Sequence, residues 1–278
     1  MLGKAETLET LRQRIAAFDT QPLLRGVDRT GDAAGRLLAT PAGVLHEVFS
    51  DSFVDSGAAF GFALGQARSL VLPSRPGLLF LQLGSDAQET GLPYGLGLKI
   101  FGLGLDALVL VRTDTIVELL WAIEEAVACR AVAAIVADIA YSHREVDFTA
   151  SRRLALRTAA GGASVFLVRH GRGREASAAR FRWKVSGLPS RPPPYDNHAP
   201  GPPRWRVVLE KGRLGNRRGT APDGEVYRVD WTDDGFVLAN DSRDDSRDDS
   251  SETAGPQRPA ALPHAASAAL GDRLSEAG

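Results

Sequence analysis

Residues 43–64, GVLHEVFSDSFVDSGAAFGFAL, constrain the chain more than any other stretch. Val44, Leu45, Val48 and Phe49 spell a short apolar strand, Ser50 to Ser56 a polar loop, and Gly57 to Leu64 the start of a small-residue helix. That order is the layout of a phosphate-binding loop. In such loops backbone N–H groups and a helix N-terminus cradle phosphates, a lysine reaches the outer phosphates and a Ser or Thr holds Mg²⁺. Here those groups are missing. With Gly57 as the second glycine of G-x-x-x-x-G-K-[ST], the first glycine falls on Ser52, the lysine on Ala58 and the Ser/Thr on Ala59. Asp51 and Asp55 add negative charge where a triphosphate would lie. The stretch reads as the frame of a nucleotide-binding ATPase with a degenerate loop (Ser52, Asp55, Gly57, Ala58, Ala59), and predicts no catalysis, no cofactor and no metal.

The alternation continues downstream. Residues 58–72 read as a helix closed by Pro73, and 77–83 as a buried strand whose near-continuous apolar run suits a parallel sheet. Residues 84–104 are glycine-rich, with a short helix at 97–102. A strand at 107–111 precedes a helix capped at Asp114 or Thr115, with Ile116, Leu119, Leu120, Ile123 and Val127 on one face. Strands at 131–139 and 163–168 flank a helix at 149–160. Strand–helix alternation through five strands predicts a parallel, three-layer α/β sheet. After Phe181 the pattern changes: RFRWKVSG, PRWRVVLEKG, EVYRVDW and GFVLAN alternate apolar and polar residues and read as hairpins appended to one sheet edge. Residues 189–203 are a proline-rich linker within them. The expected organisation is an N-terminal arm at 1–25, one domain at 26–240 and a disordered tail at 241–278, whose composition cannot bury enough apolar surface to offset chain entropy. In the arm, Leu8, Leu11, Ile15 and Phe18 form an amphipathic helical stripe, suited either to its own domain or to another subunit.

Composition excludes several classes. A single cysteine, Cys129, rules out an intrachain disulfide framework and a multi-cysteine zinc site, and its apolar helical setting marks a buried small hydrophobe. No secretory leader and no membrane-spanning run are found. The net charge is −1 but uneven: 11 Arg/Lys against 3 Asp/Glu from Tyr141 to Arg191. No G-x-S-x-G occurs, and His46, His143, His170, His198 and His264 lack metal-ligand spacing, so a Ser-His-Asp hydrolase is not supported.

The strand at 131–139 carries Asp138 near its end, where a Walker-B carboxylate would sit; an Asp capping the next turn is the alternative. Together with the loop at 43–64 and FGLGLDALVLVRTDTIVELLWAIEEAV at 101–127, this resembles RecA-type recombinases. Residues 40–240 are more similar still to the ImuA group of RecA-like proteins, through GVLHEV at 43–48, ARFRWKV at 179–185 with Pro189-Ser190, and the segment from Trp205 to Gly219. The resemblance implies a RecA-like core and a cytoplasmic, nucleoid-associated accessory or scaffold role in SOS-induced translesion synthesis. The implied partners are an inactive Y-family polymerase homologue (ImuB-type), the recombinase, an error-prone replicative polymerase and single-stranded or junction DNA, with self-association and no membrane. The chain departs from recombinases in its phosphate loop. It also lacks a catalytic Glu after the second strand, where Gln82 follows Leu81 and Glu89 lies in the glycine-rich region.

Recombinase DNA loops would match residues 140–157 and 169–182. These hold Arg144, Arg152, Arg153, Arg157, Arg172, Arg174, Arg180 and Arg182, the charge that phosphate neutralisation requires, with Tyr141, Phe148, Phe181 and Trp183 for base stacking. Arg152, Arg153, Arg180 and Arg182 are expected to share one exposed face at the carboxyl ends of the strands. A merely solvated basic face is the competing reading. Two other functions stay open. One is an active RecA-like DNA-dependent ATPase, for which Lys99 is the only lysine between Lys4 and Lys184. The other is a SulA-like cell-division inhibitor.

Overall fold

The apolar run Val132–Ile139 is buried at all eight positions, and the sheet is built around it. The computed structural model describes residues 38, 40–104, 108–193, 195–212, 214 and 225–239. The arm at 1–25, with Leu8, Leu11, Ile15 and Phe18, and the tail at 241–278 lie outside the described residues. The strands are β1 (Leu45–Ser50), β2 (Gly77–Leu83), β3 (Leu108–Thr113), β4 (Val132–Ile139), β5 (Ser164–His170), β6 (Phe181–Leu188), β7 (Arg204–Lys211), β8 (Glu225–Thr232) and β9 (Gly235–Leu238). The helices are α1 (Ser56–Arg68), α2 (Gly84–Thr90), α3 (Gly95–Ile100), α4 (Ile116–Val127) and α5 (Phe148–Gly161).

Among the described residues these strands form one sheet, in the order β3-β2-β4-β5-β1-β6-β7-β8-β9. Pairing is parallel from β3 to β6 and antiparallel from β6 to β9. Helices α1 and α3 pack into the core on one face, and α4 and α5 into the core on the other. This is a three-layer, mainly parallel α/β fold with a C-terminal antiparallel extension, compatible with a RecA-like core. No described helix is long and apolar enough to cross a membrane. Cys129 is half-buried beside the α4 core.

Local chemistry sets the element ends. Thr115 caps α4 by accepting from Glu118 N–H, and Asp147 caps α5 by accepting from Ala150 N–H at 2.7 Å. Gly162 ends α5 in the left-handed region at φ 80°. The small residues of α1 allow close approach by the C-terminal aromatics. A Cβ at Gly65 would lie 2.5 Å from the Phe236 ring and 2.8 Å from Trp231. Two elements differ from the sequence expectation. Residues 84–90 form α2 rather than loop. And β6, besides pairing antiparallel with β7 as the first strand of the hairpins, also extends the parallel sheet beside β1, joined to β5 by the helix-free crossover 171–180.

Candidate functional site

Chain exits at the carboxyl ends of the parallel strands define two crevices. From β1 and β2 the chain leaves toward the α1/α3 face, while from β4 and β5 it leaves toward the α4/α5 face. The boundaries β2/β4 and β5/β1 are therefore switch points, where open α/β sheets bind ligands. Both carry polar side chains on the α1 face. Gln82 stands opposite Asp138 across β2/β4, and Ser50 opposite His170 across β5/β1. They form one hydrogen-bonded line. Ser50 Oγ lies 2.7 Å from His170 Nδ1, His170 Nε2 lies 3.0 Å from Asp138 Oδ1, and Gln82 Nε2 lies 3.5 Å from Asp138 Oδ2. Gln82 Nε2 also donates to Thr90 Oγ1 at 2.6 Å and to the Gly91 carbonyl at 3.2 Å. Asp138 is thus more than a turn cap. In this serine–histidine–aspartate line Ser50 is fully buried at the end of β1.

The polar residues of the β1–α1 connection bond to other parts of the chain. Ser52 Oγ accepts from Val54 N–H within a short 3-10 turn, Phe53–Asp55. Asp55 occupies the N-cap position of α1 but makes no cap bond; its Oδ1 accepts from Gly187 N–H of β6 at 2.9 Å. Asp51 bonds Lys184 Nζ and Arg174 at 2.6 Å each. Burial pushes the Asp51 carboxyl up, but the bonds from Lys184 and Arg174 outweigh it and hold the group below the usual range. Beside the α1 N-terminus opens a cleft of about 570 Å³. Gly57, Ala58, Gln82, Asp138, Phe101 and Trp205 are among its walls. Trp205 Nε1 donates to the Ala58 carbonyl at 2.9 Å, which ties β7 to the start of α1. Of the described cationic side chains only Arg204 lines the cleft, and it pairs with Asp230 at 2.9 Å; Lys99 is exposed on α3 and does not line it.

No family model matches the chain. Over 132 residues it is 39% identical to Protein ImuA of Caulobacter vibrioides, in both strain NA1000 / CB15N and strain ATCC 19089 / CIP 103742 / CB 15. Over that stretch the chain is similar to ImuA proteins. The match takes in 43% of the chain and 52% of each relative, so the chain spans about half the length of the curated ImuA proteins it matches.

The basic residues divide into two groups. Arg153 and Arg157 on α5 both reach Glu124 of α4, the second at 3.1 Å. Arg174 joins Asp51 and Glu210, and Arg182 forms a two-nitrogen bond to Glu47 Oε2 at 2.8 and 2.9 Å. Arg169 adds contacts to Glu47 at 3.7 Å and Glu175 at 2.8 Å. The guanidinium groups of Arg169, Arg174 and Arg182 lie 4.1–5.5 Å from the centre of the Phe49 ring. This network covers the β5–β1–β6 face with the 171–180 crossover instead of a helix. Arg152, Arg172 and Arg180 are exposed and make no ion pair among the described residues, though Arg180 lies against the Phe181 ring. The expected common face of Arg152, Arg153, Arg180 and Arg182 does not form. The crossover carries the chain back to the amino end of the sheet, where Arg180 N–H bonds the Leu45 carbonyl, while Arg182 is held against buried Glu47.

Proposed function

We propose that this chain is a non-catalytic, RecA-like accessory factor of SOS-induced, error-prone translesion synthesis. It would act by holding a Y-family polymerase homologue and DNA. The 39% identity to ImuA proteins carries this reading, because it ties the chain to a family associated with the mutagenesis machinery. The non-catalytic part rests on the degenerate loop. Ala58 and Ala59 supply neither lysine nor hydroxyl, Asp55 is committed to β6, and Gln82 near the end of β2 is no catalytic carboxylate. The deciding experiment is capture of the tagged chain from DNA-damaged cells. A Y-family polymerase homologue should co-purify, and the purified chain should show no DNA-stimulated ATP turnover at saturating Mg²⁺. Capture without any polymerase homologue, or turnover abolished by mutating a residue of the 50–59 loop, sinks the reading.

DNA contact would fall to the unpaired arginines. Arg152 and Arg172 follow β4 and β5 in the chain, and Tyr141 and Phe148, which also follow β4, are exposed. Arg153, Arg157, Arg174 and Arg182 would contribute only by exchanging an internal carboxylate for a phosphate. The expected result is weak single-strand binding, with a log–log salt slope of about 0.7 per phosphate neutralised. Glu at both Arg152 and Arg172 should lower the slope by about 1.4 on that scale and leave the melting temperature unchanged. An unchanged slope in the double variant would assign DNA contact to the partners.

A further inference from the structure

We infer that the cleft beside the α1 N-terminus receives an arginine side chain from a partner polypeptide. The inference deepens the accessory reading and rests on it only for the partner being a polypeptide. The first observation is Gln82. It is 1% exposed, lines the cleft, and its Oε1 has no hydrogen-bond partner. The amide orientation is fixed, since Thr90 Oγ1 donates to the Asp86 carbonyl and so accepts from Gln82 Nε2. Oε1 is left as a buried acceptor awaiting a donor, which is costly unless answered. The second observation is Asp138, which lines the same cleft and is 7% exposed. Among the described residues no Lys or Arg lies within ion-pair distance of it, and its partners are His170 and Gln82.

An acceptor amide beside a carboxyl calls for a cationic, multiply donating group. It repels the phosphates of a nucleotide. The walls narrow the choice further. Phe60, Phe80, Phe101 and Trp205 offer aromatic faces, which suit a flat guanidinium better than a compact ammonium. The mouth is apolar: Leu92, Tyr94 and Ile100 line it and are each about half exposed or more. An exposed apolar rim of this kind marks a protein contact rather than a small-molecule mouth. The partner segment therefore carries arginine flanked by apolar residues.

The test uses the purified full chain and a fluorescent Leu-Arg-Phe peptide amide, compared with the same peptide carrying citrulline or glutamate in place of arginine. The arginine peptide should bind at least about tenfold more tightly than citrulline, since charge-assisted bonds are roughly twice as strong as neutral ones. Gly57→Leu should abolish this binding without loss of stability, because a Cβ at Gly57 meets nothing within 4 Å and the added side chain fills the mouth. Asp138→Asn should remove the preference for arginine over citrulline. Equal affinity for the three peptides, the absence of any binding included, overturns the inference. So does displacement of the arginine peptide by ATP–Mg²⁺, or full binding by a Gly57→Leu variant that melts like the parent. Arginine binding in a chain that captures no polymerase homologue would keep the cleft assignment and remove the translesion reading.

Discussion

Replacing Glu47 with leucine is expected to cost the fold about 3–5 kcal/mol, the usual penalty for leaving buried charge without its partner. Glu47 is 1% exposed and sits between Arg169 and Arg182, both largely buried. The two arginines would lose the carboxylate that faces them across β5–β1–β6. Arg169 would keep only Glu175, whose side chain is 47% exposed and so partly screened by water. Glu47→Gln should cost less, because its amide oxygen still accepts from Arg182. The triple variant Glu47→Leu, Arg169→Leu, Arg182→Met should recover most of the loss, since a well-packed apolar trio replaces a buried ionic one at little net cost. Urea unfolding at constant slope reads all three. A Glu47→Leu loss below about 1 kcal/mol would place the network in the class of solvent-screened surface pairs.

The same network explains what the sequence hid. Basic residues between Tyr141 and Arg191 outnumber local acids, and that count is identical whether the arginines face solvent or a distant carboxylate. Glu47 lies 135 residues before Arg182, beyond any local pattern. The parallel pairing of β6 with β1 was hidden for a related reason. Its Phe181, Trp183 and Val185 are buried while Arg182 and Lys184 alternate with them, as in a half-exposed hairpin strand. The polar side is covered by the crossover and its ion pairs, so a strand that joins the parallel sheet to the hairpins, interior on both edges, carries the period of a half-exposed strand.

By contrast β2, β4 and β5 were legible as uninterrupted apolar runs, α4 through Thr115 and its periodic face, and α5 from its place between two strands, though not its Asp147 cap. Helix α2 was not, because GSDAQET has no apolar stripe. Asp86 holds it, buried and accepting from Ala140 N–H at 3.0 Å and from Ser85 Oγ at 3.1 Å. At the site, Asp138 could be singled out from its strand end. Ser50 and His170 could not, since 120 residues separate them and only the β1/β5 register brings them together.

Acid should weaken the fold through His46, by up to about 1.4 kcal/mol for each pH unit below 6.5. The imidazole is fully buried, stacked 4.3 Å from Phe166 and 5.1 Å from Phe181 ring centres, and its Nδ1 accepts from Trp183 Nε1 at 3.4 Å. Burial, aided by the charge of Arg180, lowers its pKa from 6.5 to about 3. Between those values the unfolded chain binds the proton and the folded chain does not. Stability from this group is therefore complete above pH 6.5, declines as pH falls, and levels off near pH 3. Asp51 and Glu175, whose carboxyls are held low by their cationic neighbours against the opposing effect of burial, add their own loss only in the carboxylate range. The two contributions separate in His46→Phe. That variant should be weaker at pH 7, because Trp183 Nε1 loses its acceptor, a cost of about 1–3 kcal/mol. Its stability should nevertheless change little between pH 6.5 and 5, where the parent loses about 2 kcal/mol. Parallel stability–pH curves for parent and variant over that window would mean that His46 titrates normally and that its site opens to water.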